Sequence, residues 1–258
     1  MAEVRIVQIT DPADVPICAQ LCREAVADDP FIRFMDLYNQ EMDFIDETKK
    51  RLNNALDPAN TDEIAFKAVL DVPEENGTTH EEIVGVAHWY HGNVTIPKYD
   101  TFMKEVQEEP NEIMPDEIAA GSGGSTPSST TVVSPEPAVV VKNAEEAITH
   151  VYRQHGNAYI STVRGKRHVY CRRMMVSPKH QRKGIGRKLI EWGVNKADEE
   201  NIVGYLNARP AAMKLYQAAG FEPVAPLNCV IPEGDEQFIV PTGYAMLRKP
   251  RPLADQVK

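Results

Sequence analysis

At 258 residues, with 42% hydrophobic and 26% charged side chains, the chain can bury a core in one or two domains. Its net charge of −10 argues against broad affinity for phosphate backbones, and no apolar run approaches the length of a membrane span. The N-terminus, Met1 to Ile6, lacks the apolar run of a secretory signal, so a soluble intracellular protein is expected, cytoplasmic with the nucleus left open. The four cysteines (Cys18, Cys22, Cys171, Cys229) form no metal-type pair of pairs, and no metal is expected.

Val4 to Ile9 alternates as a strand, and Thr10-Asp11-Pro12 supplies a cap and a first-turn proline. Val15, Cys18, Cys22, Ala25 and Val26 follow at helical spacing, which predicts an amphipathic helix to about Asp28-Asp29-Pro30 and buries the two thiols on its apolar stripe. A second helical region spans roughly Gln40 to Leu56. Ile64 to Leu70 and Ile83 to Tyr90 read as strands, joined through a turn at Asn76-Gly77.

The chain then changes character. Residues 92–167 read as an insertion in a single domain covering 1–258, with a flexible Gly/Ser/Thr-rich middle at about 118–138 that cannot build a core. Asn143 to His155 is a candidate helix within it. Order returns with a strand at His168 to Val176, a basic loop at Gln181 to Gly186, and a helix carrying Leu189, Ile190, Gly193, Val194 and Ala197 on one stripe. Val203 to Asn207 is a strand, and Pro210 starts a short helix through Leu215 and Tyr216 that Gly220 ends. Phe221 to Val224, with Gln237 to Val240 or Tyr244 to Arg248, offers closing strands. This order predicts a mixed α/β or α+β sheet.

Charge is unevenly placed. From Arg164 to Lys188 there are ten Lys or Arg residues and no Asp or Glu. A helix start normally attracts acidic side chains, so Arg182, Lys183, Arg187 and Lys188 oppose the dipole unless an anion sits there. Main-chain N–H groups in the first turn have no intrahelical partner, and two glycines let a ligand approach them. The loop is therefore a candidate anion cradle.

Met174-x-Val176-x-Pro178, Gln181-x-x-Gly184-x-Gly186, Asn207, Leu215-Tyr216 and Gly220-Phe221 together resemble the GNAT superfamily of acyl-CoA N-acyltransferases. The resemblance covers about residues 170–222, and the insertion has no counterpart in it. It implies a central mixed, splayed sheet flanked by helices. Acetyl-CoA would be the co-substrate, its pantetheine arm on the backbone of Met175 and Val176. Its pyrophosphate would lie on the loop Gln181, Arg182, Lys183, Gly184, Ile185, Gly186 and Arg187. A backbone N–H near Met174 would stabilise the oxyanion, Asn207 would contact the arm, and Tyr216 would be the general acid.

The implied reaction is transfer of an acetyl group to a primary amine by direct attack on the thioester. The acceptor is a small-molecule or protein amine. The base stays open among Glu82, His88, His91 and water. A catalytically silent acyl-CoA sensor is the alternative, and a nucleic-acid binder using the 164–188 run a further one. Neither acyl-chain preference nor oligomeric state is readable.

Overall fold

The structure is a computed structural model that describes residues 3–39, 42–74, 77–92, 141–233 and 236–251. Its elements run β1 (Arg5–Gln8), α1 (Asp14–Ala25), α2 (Pro30–Tyr38), α3 (Phe44–Leu56), β2 (Glu63–Pro73), β3 (Thr79–Gly92), α4 (Ala144–Val163) and β4 (His168–Val176). They continue α5 (Ile185–Glu199), β5 (Val203–Ala208), α6 (Met213–Ala218), β6 (Glu222–Glu233) and β7 (Glu236–Arg248). All seven strands form one mixed sheet in the order β1-β2-β3-β4-β5-β7-β6. Among the described residues only β4 and β5 pair in parallel, and a parallel pair needs a crossover, which α5 supplies.

Each face of the sheet is covered by helices whose apolar stripes fit it. On one face, Ile185, Leu189, Ile190 and Ala197 of α5 pack on Trp89, Val169, Cys171, Leu206 and Met246. The helix comes close because Gly193 lies over the indole: a Cβ there would run into the Trp89 ring. On the opposite face, α1 and α3 cover β2 to β4 through Cys18, Cys22, Leu52, Ala65 and Val86. There α4 covers β5 to β7 through Ala158, Val163, Tyr205, Leu227 and Ala245. Cys18 and Cys22 are buried free thiols, and burial pushes them up to about 12 and about 11.

Several elements depart from the sequence expectation. The first helix starts at Asp14 and ends at Ala25, after a turn in which the Asp11 carboxylate accepts from the Ala13 N–H at 2.9 Å. A separate helix, α2, begins at Pro30, capped by Asp29 accepting from Phe31 and Ile32 N–H at 2.9 and 3.3 Å. The Gln40 start is corrected to Phe44 behind an Asp43 cap. The helix expected to end near His155 continues to Val163, two turns further. The closing strands are one long hairpin, β6 and β7. Asn76 of the expected turn and the 118–138 segment lie outside the described residues.

The far ends of α5, α6 and β7 are joined by one buried ion pair. Arg248, 2% exposed, donates two bonds to Asp198 at 2.6 and 2.7 Å and a third to the Ala219 carbonyl at 3.0 Å. The Asp198 carboxylate also accepts from the Arg251 N–H at 2.7 Å. Burial opposes its ionisation, but these donors overrule that and hold it below the usual carboxylate range. Asp198→Ala leaves a buried guanidinium without its counter-charge. It is expected to destabilise the fold by about 3–5 kcal/mol, read as a lower urea midpoint.

Candidate active site

Parallel pairing between β4 and β5 runs from His168↔Val203 to Cys171↔Leu206 and stops. Beyond it, β4 continues to Val176 beside β3, while Asn207 and Ala208 of β5 pair with β7. The two strands therefore part, and beyond Cys171 β4 has a neighbouring strand on one side only among the described residues. Which backbone groups face the gap follows from alternation. The Ser177 N–H donates to the Val84 carbonyl of β3 at 2.9 Å. Stepping back along the strand turns Val176 and Met174 toward the gap and Met175 toward β3.

The loop after β4 closes the end of this gap. A 3₁₀ turn, Pro178–His180, leads to Gln181, whose amide donates to the outward-facing Val176 carbonyl at 3.2 Å. Arg182 (φ +60°) and Gly184 (φ +84°) are both left-handed, and Gly184 is the N-cap of α5. Such a φ suits glycine because a Cβ would meet the following carbonyl. No side chain caps α5, and its first turn has no acid. Among the described residues, the N–H groups of Gly184, Ile185 and Gly186 have no acceptor. Arg182, Lys183, Arg187 and Lys188 are exposed around them, while Gly186 faces Leu215 of α6.

Tyr216 and Asn207 flank the opening from opposite sides. Tyr216, 6% exposed, packs on α6 in the core that holds Cys171, Leu206 and Phe221. Burial pushes its phenol well above the usual tyrosine range; the Cys171 thiol adds to this and the Arg209 guanidinium opposes it. Asn207 Oδ1 accepts from the Tyr205 hydroxyl at 2.9 Å, and Nδ2 lies 3.4 Å from both His155 Nδ1 and the Tyr170 oxygen.

The base candidates are spread along β3. Glu82, 39% exposed, pairs with His180 at 3.3 Å near the end of β4. His88, fully buried, bonds Glu63 at 3.0 Å, and that carboxylate also takes Arg172 at 2.6 Å. His91 pairs with Val169 in register and with Glu200 at 2.8 Å, at the closed end of the sheet.

Sequence reasoning missed the groups on the α1/α3/α4 side. A bulge opposite His88/Trp89 turns Arg172 and Arg173 to the same face, where strict alternation would separate them. Arg172 lies over Tyr90 at 4.5 Å and Arg173 over Phe44 at 4.6 Å, the latter donating to Thr48. Arg209, just past β5, lies over Phe31 at 3.8 Å. His155 stacks on Phe31 at 5.5 Å, and burial, aided by Arg209, holds its pKa down at about 4. The basic run is thereby dispersed: Arg167 pairs with Glu200, and Lys188 donates to the Val4 carbonyl. Among the described residues no group of His, Cys, Asp and Glu could hold a metal ion, and no helix is long and apolar enough to cross a membrane.

Residues 136–223 match the family model of the acetyltransferase (GNAT) domain. Arylalkylamine N-acetyltransferase 2 from Aedes aegypti is similar in fold at TM-score 0.54 and 16% identity, over 96% of this chain and 100% of that chain. NAA60 from Arabidopsis thaliana, in complex with a bisubstrate analogue, is 15% identical at TM-score 0.48 (96% and 100% covered). The PaiA N-acetyltransferase from Thermoplasma acidophilum, in complex with coenzyme A, is 11% identical at 0.46 (96% and 99% covered). No curated protein sequence matches the chain. The family match identifies an acetyltransferase (GNAT) domain within residues 136–223, and the likeness to the mosquito enzyme adds a likeness of fold.

His155 gives this site a pH signature. It is neutral in the fold, with a pKa of about 4, whereas the unfolded chain titrates near 6.5 and takes up the proton first. Stability is therefore lost as pH falls from about 6.5 toward about 4, by up to about 3 kcal/mol from this group. His155→Gln should flatten urea-derived stability across that window. A pH slope equal to wild type would show that His155 is not the source.

Proposed function

We propose that this protein is an N-acetyltransferase that moves an acetyl group from acetyl-CoA to a primary amine by direct attack on the thioester. The observation that carries the reading is the parting of β4 and β5 after Cys171/Leu206, with an uncapped helix N-terminus at its mouth. The pantetheine arm would fill the gap as an added strand, bonding the outward groups of Met174 and Val176. This revises the sequence expectation for Met175, whose backbone is turned to β3. The pyrophosphate would sit on the N–H groups of residues 184–186, where the dipole of α5 favours it. Arg182, Lys183 and Arg187 would add charge from solvent, and Gln181 holds the loop to β4.

With the arm so placed, the thioester carbonyl would lie against the Met174 N–H, which supports the developing oxyanion. A preorganised donor of that kind contributes about 10²–10³ in rate. Asn207, already bonded to Tyr205, would offer its amide to the arm from the β5 side. Tyr216 would act on the departing thiolate. A phenol near 10 and a thiol near 8.5 make full proton transfer uphill by roughly 2 kcal/mol, and burial of Tyr216 widens the gap. Its role is then donation of a hydrogen bond that strengthens as charge builds on sulfur. Four buried free thiols fit a reducing, cytoplasmic compartment.

Calorimetry with acetyl-CoA tests the binding half: millimolar ligand without heat or saturation would refute the assignment. Release of free CoA over an amine panel tests the chemical half. Tyr216→Phe is expected to lower kcat by about 10²-fold with little change in acetyl-CoA affinity. An unchanged kcat under rate-limiting chemistry would remove Tyr216 from the mechanism.

A further inference from the structure

Between the clusters that α1 and α3 form on one side and α4 on the other, beside the parted strands, the chain gathers arginines although as a whole it is acidic. Arg51 of α3, Arg172 of β4 and Arg209 after β5 have side chains that are 40%, 28% and 28% exposed, so each is partly open to solvent. Two of them surround Tyr170 of β4: Arg172 lies over Tyr90, the β3 residue in register with Tyr170, and Arg209 lies over Phe31, which stacks on His155 beside the Asn207 amide that is 3.4 Å from the Tyr170 oxygen. Burial pushes the Tyr170 phenol up, and Arg172, Arg51 and Arg209 all pull against that. Their carboxylate partners are Glu47 at 2.7 Å, Glu63 at 2.6 Å and Asp29 at only 3.7 Å. Arg173 adds a fourth guanidinium, and no carboxylate pairs with it among the described residues. Four cations thus meet three anions.

Donors are also left over. Arg51 Nε and His155 Nε2 are buried and have no partner among the described residues. His155 Nδ1 lies 3.4 Å from Asn207 Nδ2, and a neutral imidazole accepting there carries its proton on Nε2. A buried donor without an acceptor is costly, which favours an occupant rich in acceptors.

We propose that the amine acceptor carries an anionic group, a carboxylate or a phosphate, which Arg51, Arg172 and Arg209 hold beside Tyr170 while the amine reaches the open edge of β4. This rests on the N-acetyltransferase reading and narrows its acceptor. A planar guanidinium suits either anion through paired N–H donors. The position is also apt: Tyr170 precedes the last β4–β5 pair at Cys171↔Leu206, and the edge of Met174 begins just beyond it. The face would reject polyamines by like charge.

The test is acetyl transfer by the full chain with matched amines: 5-aminopentanoate against pentylamine, phosphoethanolamine against ethanolamine, and spermidine as a cation. The anionic member of at least one pair should show kcat/KM at least about tenfold above its partner, and the two pairs separate carboxylate from phosphate. Arg209→Gln, and independently Arg51→Gln, should each shrink that preference at least about fivefold. A preference unchanged in both variants overturns the assignment. So does equal or faster turnover of the uncharged amines or spermidine, and that result leaves the acetyltransferase reading standing. Failure to bind acetyl-CoA removes both. If acetyl-CoA binds and no amine turns over, calorimetry on the acetyl-CoA-loaded protein decides. Saturable binding of 5-aminopentanoate or phosphoethanolamine that weakens in Arg209→Gln supports the inference, and its absence refutes it.

Discussion

Past Cys171, β4 has a strand partner on one side only among the described residues. That single constraint organises the rest of the molecule. A central strand with free N–H and C=O groups is ordinarily a liability, because unpaired backbone polar groups cost free energy unless water or a ligand meets them. Here the liability is confined: Gln181 takes the Val176 carbonyl, α5 and α6 wall one face, and the other lies between α1/α3 and α4. What keeps the strands apart is rigid. α5 is fixed to Trp89 at mid-length and, through Asp198 and Arg248, to β7 at its C-terminal end. The gap is thus set by packing, before any ligand arrives.

The same geometry explains why the loop was legible in the sequence and its surroundings were not. A backbone that must turn left-handed at an uncapped helix start restricts residue choice locally, so Gly184 and the absence of acids in the first turn of α5 can be read directly. The mixed sheet was legible for a similar reason, since alternation and helical stripes are local patterns. Helix α2 was missed although Asp29 and Pro30 are a cap and a first-turn proline; they read equally well as the end of the preceding helix. The β6–β7 hairpin was broken up because Pro223, Pro226, Pro232 and Pro241 argue against strands. β6 is the edge strand, where a missing N–H costs little, and Pro241 falls where the register shifts.

What no local pattern could deliver is the arginine-lined face. Arg172 and Arg173 are adjacent, so period-two reasoning sends them to opposite faces, and only the bulge brings both to one. Arg51 and Arg209 come from elements far apart in sequence, and His155 arrives on a helix whose docking site was unreadable. Each was visible as a residue and invisible as a neighbour.

This separates two uses of charge in the chain. The net charge of −10 belongs to the surface as a whole and governs solubility and long-range approach. At low-dielectric sites the decisive quantity is the local count, because interactions there are stronger and less screened by salt. Composition alone would pair an acidic enzyme with a cationic acceptor. The arrangement of Arg51, Arg172, Arg173 and Arg209 against Glu47, Glu63 and Asp29 reverses that sign at the place where an acceptor would meet the thioester. A fold that gathers distant arginines beside one open strand edge can thus make an acidic protein locally cationic.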